Sequence, residues 1–216
     1  MDKLFFRETY LDRLRSYYDD TDVVKIITGV KGCGKTSLLE MIVYELLEKD
    51  VPEDNIIRVR LDKRPYKGVS TPNRLMEVIS EKMSETEGIM YVFIDEIGSV
   101  ENYEEVLNRL NGKCSVFITA SSGYILYPEH IKRIEARFIN IEMFTLSFDE
   151  YIGMKQFFGH HTSKNMMEEF TDYMLQGGFP YVVKKGTSGN HQYTKDTLEY
   201  IFEHLYTILA SSSILR

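Results

Sequence analysis

Apolar positions along the chain follow two spacings. Across residues 4–18, Leu4, Tyr10, Leu11, Leu14 and Tyr17 fall near one helical face, with Arg7, Asp12, Arg13 and Arg15 mostly elsewhere. Val23, Val24, Ile26 and Ile27 then make a short β-branched run that predicts a buried strand. Leu38, Leu39, Met41, Ile42, Leu46 and Leu47 recur near the helical period, which predicts a helix over 37–49. Further strands are predicted at 56–61, where the residues alternate, and at 90–94, 115–119 and 138–141. The run at 90–94 is continuously apolar and suits an interior place in a parallel sheet. Helices are predicted at 72–87, opened by Pro72, and at 101–110 and 129–136. Strands alternating with helices imply crossover connections and a parallel α/β sheet.

From Leu146 the pattern changes. Helices are predicted at 148–158, 164–175 and 192–209, punctuated by Gly153, Gly159, Gly177-Gly178, Gly186 and Gly189. Ser147 stands three residues before Glu150, the spacing of a capping box. The expected organisation is an N-terminal helix over 1–21 packed on a core of residues 22–145, followed by a helical appendage over 146–216.

Between the first strand and its helix lies Gly29-Val30-Lys31-Gly32-Cys33-Gly34-Lys35-Thr36, the eight-position phosphate-binding pattern. A polyphosphate must be wrapped by several backbone N–H groups, and only a tight glycine-rich turn points them inward together. Lys35 supplies a cation to the outer phosphates, and the Thr36 hydroxyl is a hard oxygen suited to Mg²⁺. Ser37 opens the helix whose positive end faces the same anion. The expected ligands are therefore ATP and Mg²⁺, with residues 29–37 as the cradle and Cys33 a small residue within it.

The strand at 90–94 ends in Asp95-Glu96. The C-terminal ends of strands are where an open α/β sheet places its ligands. Asp95 is suited to orient Mg²⁺, and Glu96 to polarise an attacking water. One strand on, Thr119-Ala120-Ser121-Ser122 offers polar groups that either sense the γ-phosphate or cap a helix. Arg133 and Arg137 are candidates for an arginine finger, against the alternative of ordinary complementation of a helix end.

Composition narrows the partners. A net charge of −7 argues against a chain-wide nucleic-acid footprint. Two cysteines make no disulfide framework, the first residues lack a long apolar core, and no apolar run approaches a membrane span. A cytoplasmic protein with no membrane partner is expected. His160-His161 lacks further spaced ligands and reads as a solvated loop pair.

The strings Gly29–Ser37, Phe93–Ile97, Phe117–Ser122, Ala136-Arg137-Phe138, Leu146–Tyr151 and Gly177-Gly178-Phe179-Pro180 occur in this order. Together they resemble the prokaryotic AAA-type P-loop ATPases related to the Orc/Cdc6 and STAND lineages, which are usually fused to a C-terminal domain of unknown function. The resemblance implies a P-loop NTPase three-layer sandwich, with a five-stranded parallel sheet in the order 5-1-4-3-2 and the loop strand central. It implies ATP hydrolysis with Mg²⁺, with Lys35, Glu96 and Arg137 catalytic, Thr36 and Asp95 at the metal, and Ser122 near the nucleotide. It further implies that hydrolysis moves a helical or C-terminal output region. An arginine supplied by a neighbour implies a homo-oligomer, and an output domain implies a DNA or protein partner. Where the family commonly has Gly-Ser-Asn, this chain has Ala120-Ser121-Ser122. A nucleotide-dependent switch or DNA-associated scaffold without turnover is the alternative reading.

Overall fold

The computed structural model describes residues 3–83, 87–121, 123–186 and 194–203. The chain divides into two compact units, one of residues 1–29 with 35–143 and the other of residues 30–34 with 144–216.

In the first unit, α1 (Glu8–Arg15) leads into β1 (Val23–Thr28), followed by α2 (Lys35–Glu48), β2 (Ile56–Arg60), α3 (Pro72–Ser80), β3 (Met90–Asp95), α4 (Glu104–Leu110), β4 (Cys114–Ala120), α5 (Pro128–Ile131) and β5 (Arg137–Glu142). All strand pairs are parallel, and the sheet order is β2-β3-β4-β1-β5. This is the expected order read from the other edge. The loop strand β1 is interior, but the central place belongs to β4.

Side chains on successive strand residues face opposite sides of the sheet. On one side Val24, Ile26, Val92, Ile94, Val116 and Ile118 form a continuous core with Leu75, Ile79, Val106 and Leu107 of α3 and α4. On the other side the Phe93 and Phe117 rings stack at 4.7 Å, and Tyr18 meets Phe117 edge-on at 6.0 Å. The N-terminal helix is fastened there. Leu11 and Leu14 are fully buried, and the Glu45 carboxylate of α2 accepts from Arg15 Nη2 at 2.5 Å and from Tyr18 Oη at 2.8 Å. Burial alone would raise the Glu45 pKa, but the hydrogen bonds from Arg15 and Tyr18 prevail and hold it below the ordinary carboxylate range.

Several helices are shorter than the apolar spacing predicts. The helix predicted at 72–87 ends at Ser80, and residues 84–86 lie outside the described residues. The 101–110 helix begins only at Glu104, because Asn102 adopts φ 46°, outside the helical region. The 129–136 helix is the four-residue α5, preceded by a 3₁₀ turn at Gly123–Leu126.

One buried cation carries a pH signature. Lys25 is fully buried on β1, where Nζ donates to the Asp20 carbonyl at 2.6 Å, the Val23 carbonyl at 3.0 Å and Ser115 Oγ at 2.8 Å. Desolvation lowers its pKa from 10.5 to about 8, so the folded chain releases a proton that the unfolded chain keeps. Between pH 8 and 10.5 the unfolded state therefore binds more protons, and this group adds stability as pH rises. The expected gain from pH 7.5 to 9.5, measured as wild type minus Lys25→Met in urea unfolding, is about 1–2 kcal/mol. A flat difference contradicts it.

The second unit carries α6 (Phe148–Phe157), α7 (Met166–Gln176) and α8 (Pro180–Lys185), and residues 194–203 are also helical. The predicted capping box is present: Ser147 Oγ accepts from the Glu150 N–H at 3.2 Å, and the Glu150 carboxylate accepts from the Ser147 N–H at 2.9 Å. Gly178 is required by close approach, since a Cβ there would stand 2.4 Å from the Leu146 carbonyl oxygen. Lys155 Nζ donates to Glu169 Oε2 at 2.6 Å, both residues being buried. Removing one partner strands the other charge, so Lys155→Met should cost about 3–5 kcal/mol in thermal unfolding, with most of it recovered in Lys155→Met/Glu169→Leu.

Candidate functional site

β4 lies between β1 and β3, and all three run parallel, so their C-terminal ends meet at one edge. There β1 gives way to residues 29–34, and α2 begins at Lys35. Gly32 and Gly34 take φ 85° and 110°, which side-chain-bearing residues rarely adopt, and this lets the chain turn from strand into helix within six residues.

Lys35 is 4% exposed, and Nζ donates to the Gly29 carbonyl at 2.8 Å and to Ser121 Oγ at 2.9 Å. Its Nζ also lies 3.5 Å from Glu96 Oε1. Thr36 Oγ1 donates to Asp95 Oδ2 at 2.7 Å, which joins the start of α2 to the end of β3. Asp95 is 2% exposed, and its Oδ1 accepts from Thr119 Oγ1 at 2.5 Å. A carboxylate this buried is held only by donors and cations around it.

Glu96 has left-handed backbone, φ 63° and ψ 52°, and its N–H donates to Thr119 Oγ1 at 2.9 Å. A side-chain-bearing residue in this region costs on the order of 1–2 kcal/mol, and such strain collects where geometry serves chemistry. The strain turns the Glu96 side chain toward β4, where its carboxylate accepts from the Ser121 N–H at 3.0 Å and from Ser121 Oγ at 2.5 Å. Two hard oxygens, Thr36 Oγ1 and Asp95 Oδ2, thus sit within one hydrogen bond of each other beside a lysine ammonium. This donor set fits Mg²⁺.

The match to known families follows this geometry: the family described as "AAA domain" covers residues 21–152. The chain belongs to the AAA domain family. This AAA domain is 30% identical over 179 residues to an uncharacterised protein of Haemophilus influenzae, covering 82% of this chain and 44% of that protein. It is 26% identical over 203 residues to an uncharacterised protein of Methanocaldococcus jannaschii, covering 83% of this chain and 43% of that one. The chain thus spans less than half the length of either relative. Its fold is also that of a Walker-type ATPase of Pyrococcus abyssi, with TM-score 0.57 and 16% identity over 97% of this chain and 77% of the other. It is accordingly a nucleotide-binding protein of the ATPase class.

Not every residue singled out in the sequence of this AAA domain joins the cluster. Gly29, Lys35, Thr36, Asp95 and Glu96 do. Val30, Lys31, Gly32, Cys33 and Gly34 connect Gly29 to Lys35 along the chain, and within the second unit Lys31 Nζ stands 3.6 Å from the centroid of the Tyr200 ring. Ser37 follows Thr36 in the first turn of α2, and Ser122 lies outside the described residues. Arg137 is not brought to the cluster. It is exposed and pairs in register with Val23, at the start of β1, five residues before Thr28 and so roughly 16 Å back along the sheet. Ser121 Oγ accepts from Lys35 Nζ and donates to Glu96, so the polar strand end after β4 does reach the cluster through this residue. Arg60, which the sequence did not flag, ends β2 in register with Asp95, with Nε 3.6 Å from Asp95 Oδ2. Among the described residues no helix is long and apolar enough to cross a membrane.

Proposed function

We propose that this AAA domain binds ATP with Mg²⁺ at the C-terminal edge of its sheet and hydrolyses it. The observation that carries this reading is the 2.7 Å contact between Thr36 Oγ1 and Asp95 Oδ2, a loop hydroxyl against a buried carboxylate from a strand two positions away. Thr36 and Asp95 would hold Mg²⁺, which when bound neutralises charge on the phosphate oxygens. Residues 29–34 supply backbone N–H groups to the phosphates. Lys35 exchanges its contacts with the Gly29 carbonyl and Ser121 for the outer phosphates. Glu96 orients the attacking water and takes its proton. Ser121, relieved of Lys35 but still donating to Glu96, then reports on the γ-phosphate through that carboxylate.

The helical segment from Phe144 onward is the part whose position the nucleotide state sets, coupled to an output region. Arg137, exposed at the far end of β5, is offered to a neighbouring copy in a homo-oligomer. DNA or protein is the partner class of the output region, and the cytoplasm its place.

The competing reading is a nucleotide-dependent switch or DNA-associated scaffold without turnover. One observation favours it: both Glu96 carboxylate oxygens are engaged by Ser121. Phosphate release decides between them. With Mg²⁺ and ATP, sustained release that stops on chelation supports hydrolysis, and tight binding with no release favours the switch.

A further inference from the structure

The cluster contains a cation that the ATPase reading does not use. Arg60 is the last residue of β2, paired in register with Asp95, the last residue of β3. The Leu61 N–H donates to the Asp95 carbonyl at 3.1 Å, so the backbones of the two strand ends are fastened together. Arg60 Nε lies 3.6 Å from Asp95 Oδ2 and 3.7 Å from Asp62 Oδ1. Both distances exceed hydrogen-bonding range, and Nε is buried with no hydrogen-bond partner. A buried guanidinium N–H without an acceptor is a costly arrangement, and here it lies between Asp62 Oδ1 and the Asp95 oxygen that also accepts from Thr36. Lys35, the other cation of the cluster, faces Glu96. Arg60 is therefore the positive charge that compensates Asp95 in the nucleotide-free chain.

We propose that Arg60 is a positioning residue that competes with the divalent cation for Asp95 Oδ2, and so sets the metal concentration at which nucleotide binds. The inference rests on the ATP–Mg²⁺ reading above. A guanidinium and a divalent cation sharing one carboxylate oxygen repel each other, and in a part-buried site this repulsion is poorly screened. When metal enters with the nucleotide, Arg60 must give up Oδ2. Asp62, half-exposed on the other side of Nε, is the acceptor it turns to. The residue thereby holds the Asp95 carboxylate in place when no metal is present, and makes metal binding depend on the phosphates arriving with it.

The test is a Mg²⁺ titration of a fluorescent ADP analogue at fixed concentration, on wild type, Arg60→Gln, Arg60→Lys and Asp62→Asn. Arg60→Gln should lower the half-saturating Mg²⁺ by roughly tenfold, the effect of removing one repelling charge from a part-buried site. Arg60→Lys, which keeps the charge, should stay within about threefold of wild type. Asp62→Asn, an exposed-side change that serves even if Arg60→Gln does not fold, should raise the midpoint by leaving Arg60 only Asp95 to pair with. The melting temperature of the nucleotide-free protein should fall in Arg60→Gln, and saturating Mg²⁺ with the analogue should restore it. Equal midpoints in wild type and Arg60→Gln, or an unmoved midpoint in Asp62→Asn, would overturn the proposal while leaving the ATPase reading intact. A wild type with no Mg²⁺-dependent signal would overturn that reading and the proposal with it.

Discussion

Lys35→Ala should abolish ATP binding over the range where the wild type saturates, a loss of at least about 100-fold, or roughly 3 kcal/mol. The side chain is nearly buried, and its ammonium is held by the Gly29 carbonyl and Ser121 Oγ at the start of the loop. No other lysine or arginine nitrogen is described within ion-pair distance of Glu96, so no neighbouring cation takes its place among the described residues. Isothermal titration with Mg²⁺-ATP reads the affinity. Removing Lys35 also leaves Glu96 with one fewer cation, so a circular-dichroism spectrum must accompany the titration. Wild-type affinity in a folded Lys35→Ala protein would remove Lys35 from the site.

Glu96→Gln should behave in the opposite way. Glutamine is nearly isosteric with glutamate and keeps an oxygen to accept from Ser121, so the strained turn at Glu96 survives. What is lost is the carboxylate base, and a positioned base contributes about 10²–10⁴-fold to rate. Phosphate release should therefore fall by about that factor. Affinity for Mg²⁺-ATP should hold or rise slightly, because a negative charge facing the γ-phosphate has gone. Equal turnover in wild type and Glu96→Gln would show that Glu96 is not the base, and would make Asp95, the other carboxylate of the cluster, the first group to examine.

The features legible in the sequence are those written in local chemistry. The β-branched run before Gly29, the loop spacing and the apolar strand ending in Asp95-Glu96 each depend on a few adjacent residues, and the sheet order follows the family they resemble. The capping box at Ser147 and Glu150 was equally readable, because its two hydrogen bonds join residues three apart. What depends on strand register was hidden. Arg137 lies beside a plausible sequence string, but pairing with Val23 puts it at the wrong end of the sheet for a role within its own chain. Arg60 looks like one more polar position in an alternating strand, and only its pairing with Asp95 gives it meaning. The helix α8 is six residues long, too short for a periodic signal, although Pro180 at its first turn and Gly177 with φ 66° at the preceding helix end marked the boundary.

In the proposed site Lys35, Thr36 and Asp95 share one ligand. A crystal structure with Mg²⁺ and a non-hydrolysable ATP analogue tests it most directly. The predicted result is a γ-phosphate on Lys35 Nζ, with one metal ion bound by Thr36 Oγ1 and held by Asp95 directly or through water, the Thr36–Asp95 hydrogen bond having opened to admit it. Nucleotide bound elsewhere, or phosphates in the loop with the Thr36–Asp95 bond intact and no metal between them, would contradict it.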